Sequence, residues 1–105
     1  MLRLTLCACD VLAFQSLKDA VNTSELANEL TLAAIPCDGS CGGKGCLWLQ
    51  AEGKASYHFK EVDPVRDRVD ILATARCFLA SPDGWIEDAR PCGRLRFCLA
   101  ARIPP

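Results

Sequence analysis

The chain has 105 residues, half of them apolar and 24% charged, with a formal net charge of −1. Such a length suits one domain over 1–105, and the apolar share excludes a disordered chain. The near-neutral charge offers no global field for nucleic acid or an anionic membrane, and no apolar run approaches the ~20 residues of a membrane span.

Eight cysteines are the compositional anomaly. An even count would suit a secreted disulfide framework, but the start of the chain does not read as an export signal. Arg3 leads into the apolar stretch Leu4–Phe14, and Leu6-Cys7-Ala8-Cys9 has the look of a lipoprotein cleavage box. Asp10 interrupts that stretch, and cleavage at Cys9 would leave a leader shorter than the usual ~15–30 residues. The expectation is a cytoplasmic protein whose cysteines are metal ligands, reactive thiols or small apolar packing.

In chain order, Met1 to Cys9 alternates, with Leu2, Leu4 and Leu6 on one face and Cys7 and Cys9 on the other, which predicts a strand. Asp10 is a good N-cap for a helix to about Val21, with Val11, Phe14, Leu17 and Val21 near one stripe. A second helix is expected over Glu25 to Ala34, where Leu26, Leu30 and Ala33 share a face, and Pro36 ends it. Cys46 to Glu52 and Ala55 to Val62 read as a hairpin closed by a two-residue turn at Gly53-Lys54. That register sets Trp48 against Phe59 and Gln50 against Tyr57, and turns His58 to the face opposite Cys46.

Val69 to Ala80 is expected as a long strand, with Val69, Ile71, Ala73, Ala75, Cys77 and Leu79 on one face. Ser81-Pro82-Asp83-Gly84 has the residues of a type I turn, and Trp85 to Ala89 returns. Arg94 to Ile103 is expected as the final strand, with Arg94, Arg96, Cys98 and Arg102 on one face. The fold class is α+β. A strand, two helices and about five further, mostly antiparallel strands follow one another, with the helices packed on one face of the sheet.

The segment with the most chemistry is Cys37-Asp38-Gly39-Ser40-Cys41-Gly42-Gly43-Lys44-Gly45-Cys46. Cys37, Cys41 and Cys46 are three close thiolates on a flexible backbone, a candidate structural zinc site. The fourth ligand is open among Cys7, Cys9, Cys77 and Cys92. The alternative is incidental cysteines in a glycine-rich loop. A phosphate loop is excluded, because Asp38 and Gly45 stand where that motif needs Gly and Ser or Thr.

The part from Gly39 to Cys46 also resembles the cluster loop of plant-type ferredoxins, whose spacing is C-x4-C-x2-C with a distant cysteine. Cys41 and Cys46 fit the first interval, Leu49 stands at the third ligand position, and Cys77 lies near the distant one. The resemblance implies a [2Fe–2S] cluster and electron transfer.

Arg94, Arg96 and Arg102 form a local basic strip whose simplest role is to protect a sheet edge and which is also suited to contact an acidic protein or nucleic acid. No nucleophile–base pair or paired-carboxylate site can be assigned. The leading reading is a small binding domain that takes a partner protein or small ligand on a sheet face or in a sheet–helix pocket. A ferredoxin-like carrier is the first alternative, and an enzyme with an unassigned site the second.

Overall fold

A computed structural model of the chain describes residues 1–7, 11–35 and 45–105. Five strands form one mixed sheet: β1 (Leu2–Cys7), β2 (Leu30–Ile35), β3 (Gly45–Gln50), β4 (Ser56–Val62) and β5 (Leu99–Ile103), in the spatial order β2-β1-β3-β4-β5. β1 and β2 are parallel, and the other neighbours are antiparallel. Two α-helices, α1 (Val11–Asn22) and α2 (Arg68–Ala80), and two 3₁₀ segments complete the α+β fold. Among the described residues no helix is long and apolar enough to cross a membrane.

The core lies on one face of the sheet. Leu2, Leu4 and Leu6 of β1, Leu47 and Leu49 of β3, and Tyr57 and Phe59 of β4 pack there with Leu17 and Val21 of α1 and Ile71, Ala75 and Phe78 of α2. The alternation of β1 is as the sequence implies, and of the expected α1 stripe Leu17 and Val21 are buried and Phe14 packs against the core, while Val11 is exposed and Ala13 is buried instead.

Four expected elements differ. Residues expected as a second helix make a 3₁₀ turn, Glu25–Asn28, followed by β2. The Ser24 hydroxyl accepts the Leu26 amide at 3.1 Å and caps that turn. Leu26, Leu30 and Ala33 fit a helical face, but Leu30, Leu32 and Ala34 also alternate, and pairing with Leu2, Leu4 and Leu6 decides for strand. The expected strand over Val69 to Ala80 is α2, whose buried residues Ile71, Thr74, Ala75 and Phe78 follow the i, i+3, i+4, i+7 pattern. Counting Thr74 as polar hides that pattern, although thirteen residues favour a helix by length alone. The expected final strand is half strand. Arg90–Phe97 is 3₁₀, kinked at Gly93, and only Leu99–Ile103 joins the sheet. Trp85 to Ala89 is irregular rather than a returning strand.

The β3–β4 hairpin exists, but its register is one residue away from the expected one. Trp48 pairs with His58 and Leu47 with Phe59. The turn is longer than two residues. Lys54 N donates to Ala51 O at 3.1 Å, and Gly53 takes the third turn position with φ +75°. A slip of one residue moves every side chain to the other face. Trp48 therefore leaves the core face, and His58 joins it on the outer face.

Candidate functional site

Strand order determines which cysteines meet. Because β1 and β2 are parallel, both finish at the same end of the sheet, with Cys7 beside Ile35. β3 is antiparallel to β1 and begins at that end. Carrying the register one step past Leu6–Leu47 sets Cys7 across from Cys46, on the outer face with Thr5 and Trp48. Cys7 is 9% exposed and Cys46 is half-buried. Of the predicted metal ligands, Cys46 is thus described, while Cys37 and Cys41 lie outside the described residues, as does Cys9. In sequence, Cys9 follows the end of β1 by two residues and Cys37 follows the end of β2 by two. Among the described residues no group of three His, Cys, Asp or Glu side chains comes together as a metal site.

His58 shares the outer face with Cys46, the reverse of the expected arrangement. Its imidazole stacks on Trp48 with ring centroids 3.8 Å apart and planes 4° from parallel. Desolvation, with Lys60 adding to it, pushes its pKa below the ordinary histidine value.

Cys77, the expected distant cluster ligand, belongs to another group of residues. It lies near the end of α2 and packs against the core. That end of α2 neighbours the β3–β4 turn, because Lys54 Nζ donates to Phe78 O at 3.3 Å and Ala55 N to Asp83 O at 2.7 Å. The β3–β4 turn and the start of β3, where Cys46 sits, are opposite ends of the strand. Burial, followed by the Cys92 thiol, pushes the Cys77 thiol up from its ordinary value.

The three arginines of the basic strip have different roles. Arg94 grips Asp67 with two parallel bonds, Nε to Oδ1 at 2.9 Å and Nη2 to Oδ2 at 2.8 Å. It also donates to the Glu61 carbonyl, and its main-chain N–H donates to Asp70 Oδ2 at 3.1 Å. Asp67 is 2% exposed and also accepts the Asp63 amide at 2.9 Å. The Arg94 bonds hold the Asp67 carboxyl well below the usual carboxylate range, against the opposing effect of burial. Gly93, with φ +62°, makes this approach possible, since a Cβ there would run into the Asp70 carboxylate. Arg94 is therefore a clamp tying the 3₁₀ segment to α2 and β4.

Arg96 and Arg102 are exposed, and each lies over an aromatic ring. The Arg96 guanidinium is 4.7 Å from the Phe97 centroid, and that of Arg102 is 3.7 Å from the Trp85 centroid. Both line a small cavity of about 60 Å³ whose walls include Tyr57, Phe59, Ile86 and Leu99. The Ile86 amide donates to the Tyr57 hydroxyl at 2.8 Å, fixing one wall. Arg96 and Arg102 thus share a cavity that Arg94 does not line. A wider, open groove of about 660 Å³ runs between α1 and α2 past Gln15, Asp19, Arg68 and Leu72, and among the described residues no histidine or cysteine lines it.

Residues 11–105 match a family described as "Protein of unknown function (DUF1636)". The chain belongs to this family. No curated protein and no solved structure matches it. The DUF1636 span covers Cys37, Cys41, Cys46, Cys77, Cys92 and the Arg94 clamp, whereas β1 with Cys7 precedes it.

Sequence reasoning set no register between β1 and β3, and so gave no sign that Cys7 falls across from Cys46, and by reading β2 as a helix it lost the parallel neighbour of β1. Without β2 no parallel pair marks the end of the sheet at which the cysteine-bearing segments finish and begin.

Proposed function

We propose that this protein is a small binding domain built around a four-thiolate metal centre at the end of the sheet where β1 and β2 finish and β3 begins. The observation that carries this reading is the β1–β3 register through Leu6–Leu47, which carried one step further sets Cys7 across from Cys46. Two residues of chain span at most about 7 Å, so Cys9 is tethered to the end of β1 and Cys37 to the end of β2. Cys41 falls between Cys37 and Cys46 in the glycine-rich segment. The ligand set drawn from Cys37, Cys41 and Cys46 is completed by Cys7 or Cys9. Thiolates from separated segments, held by strands that the core already orders, are a structural zinc set. The metal would tie the long segment after β2 back to the sheet, leaving the outer face around Trp48 and His58 to meet a partner.

Four thiolates are equally the ligand set of a [2Fe–2S] cluster, and with that occupant the domain is an electron carrier. The observation favouring this second reading is that the cysteines tethered to this end of the sheet suffice without Cys77, the position the ferredoxin resemblance would have used.

One preparation tests both. Protein purified without chelator is expected to carry about one equivalent of zinc, to be colourless, and to lose both metal and thermal stability in Cys46→Ser. Iron with visible absorbance replaces zinc by the cluster reading. Metal-free protein whose melting is unchanged by chelator removes both.

A further inference from the structure

The cavity where the 3₁₀ segment meets β4 and β5 holds two uncompensated positive charges above an apolar floor. Tyr57, Phe59 and Cys92 line that floor and are no more than 4% exposed. Ile86, Ala89 and Leu99 complete the walls. Arg96 of the 3₁₀ segment and Arg102 of β5 line the same cavity and are exposed, so they form its rim. Among the described residues neither guanidinium has a carboxylate partner, and the ion pairs belong to Arg66, Arg76, Arg90 and Arg94. Asp88, the acid that feels the Arg96 charge, is already gripped by Arg90 through two bonds of 2.9 Å. Stacking over Phe97 and Trp85 restrains the two guanidiniums and leaves the N–H donors along their edges available.

We infer that this cavity binds a small aliphatic monocarboxylate, with its tail on the apolar floor and its carboxylate across Arg96 and Arg102. A carboxylate matches the fork of a guanidinium, and between two like charges it also relieves their repulsion. The volume of about 60 Å³ limits the tail. At roughly 10–15 Å³ for each water-sized occupant, it takes about four to six heavy atoms, so a straight chain of about six carbons with its carboxyl group at the rim fills it. A second charge at the far end of the ligand would be buried against Tyr57 and Phe59 without a partner, which disfavours a dicarboxylate of that length. The cavity is on the core side of β4, opposite Trp48 and His58, and none of the proposed metal ligands lines it among the described residues. This site therefore stands or falls separately from the metal centre.

The test titrates the whole chain, as purified, with acetate, butyrate, hexanoate, adipate and hexylamine, followed by calorimetry and by backbone amide resonances in NMR. Hexanoate should move the amides of Ile86, Ala89 and Leu99 and leave those of Trp48 and His58 in place. From acetate upward, each added methylene should tighten binding by up to about fourfold until the cavity is full. Adipate should bind more weakly than hexanoate, and hexylamine should not bind. Arg96→Gln and Arg102→Gln should each weaken hexanoate binding by about 10- to 100-fold. Ala89→Leu fills the floor while keeping both arginines, and should reduce hexanoate to the affinity of acetate. The amide spectrum of each ligand-free variant verifies its fold, and Arg102→Lys, which keeps the charge and loses the fork, should fall between Arg102→Gln and the native chain. The inference is overturned if hexanoate at millimolar concentration moves none of the cavity amides, if hexylamine binds as well as hexanoate, or if the variant with both arginines replaced by Gln binds hexanoate as the native chain does.

Discussion

Two regions of this domain handle polar chemistry in opposite ways. From Glu61 to Cys98, buried polar groups already have protein partners. Asp67 has Arg94 and the Asp63 amide, Thr74 donates to the Asp70 carbonyl at 2.7 Å, and the Cys98 thiol donates to the Arg94 carbonyl at 3.5 Å. At the other region, where β1 and β2 finish and β3 begins, the β1–β3 register carried one step past Leu6–Leu47 sets Cys7 across from Cys46, each of which has an interaction of its own, and the cysteine-rich segment connects β2 to β3 in sequence. A thiol is a weak hydrogen-bonding group, and what it binds strongly is metal. The difference teaches where stability should depend on the chain alone and where it should depend on an added ion.

The largest effect sharpens the self-sufficient side. Phe78 is fully buried and meets Tyr57 edge to face at 5.9 Å. Phe78→Ala should cost about 3–5 kcal/mol in chemical denaturation, with the same loss in chelator. A loss that depended on chelator would break the division between the regions.

Next in size is the clamp. Arg94→Met leaves the Asp67 carboxylate buried without its main partner and should cost about 3 kcal/mol. The pH dependence has a definite sign. The folded-state pKa of Asp67 lies below its ordinary value, so its contribution is whole above about pH 5. It drains as pH falls through the usual carboxylate range toward the folded-state value. Arg94→Met should flatten that acid limb of the stability curve, and an unchanged limb would mean that Asp67 is held by something else.

The smallest effect belongs to the outer face. Trp48 is only half-buried and stacks on His58, so Trp48→Ala should cost about 1–2 kcal/mol rather than the ~3–5 of a core aromatic. Removing the indole hydrates the imidazole, and the His58 titration followed by NMR should move up toward its ordinary value. No movement would mean that the indole does not desolvate it.

The sequence made some of this legible. β1 reads directly because its alternation is strict, α1 as an element because Leu17 and Val21 are spaced one turn apart, although Val11 is exposed, and the Ser81–Gly84 turn because each residue suits its position. Gly84 N donates to Ser81 O at 3.2 Å as that reading requires. α2 and β2 were hard for one physical reason. Leucine and alanine fit helix and strand alike, so tertiary pairing decides between them. The hairpin was legible but its register was not, because Ala55 bonds to Asp83 instead of closing a two-residue turn. The Arg94–Asp67 clamp joins residues 27 apart and left no mark in local spacing. The Arg96 and Arg102 cavity needed both the 3₁₀ segment and β5, which a single continuous strand would have kept apart.

The most direct measurement on the central claim is X-ray absorption at the edge of whatever metal co-purifies with the intact chain. The account predicts a shell of four sulfurs, at about 2.3 Å if the metal is zinc, with one sulfur lost in Cys46→Ser. A first shell of nitrogen or oxygen, or a sulfur shell unchanged in Cys46→Ser, would contradict it.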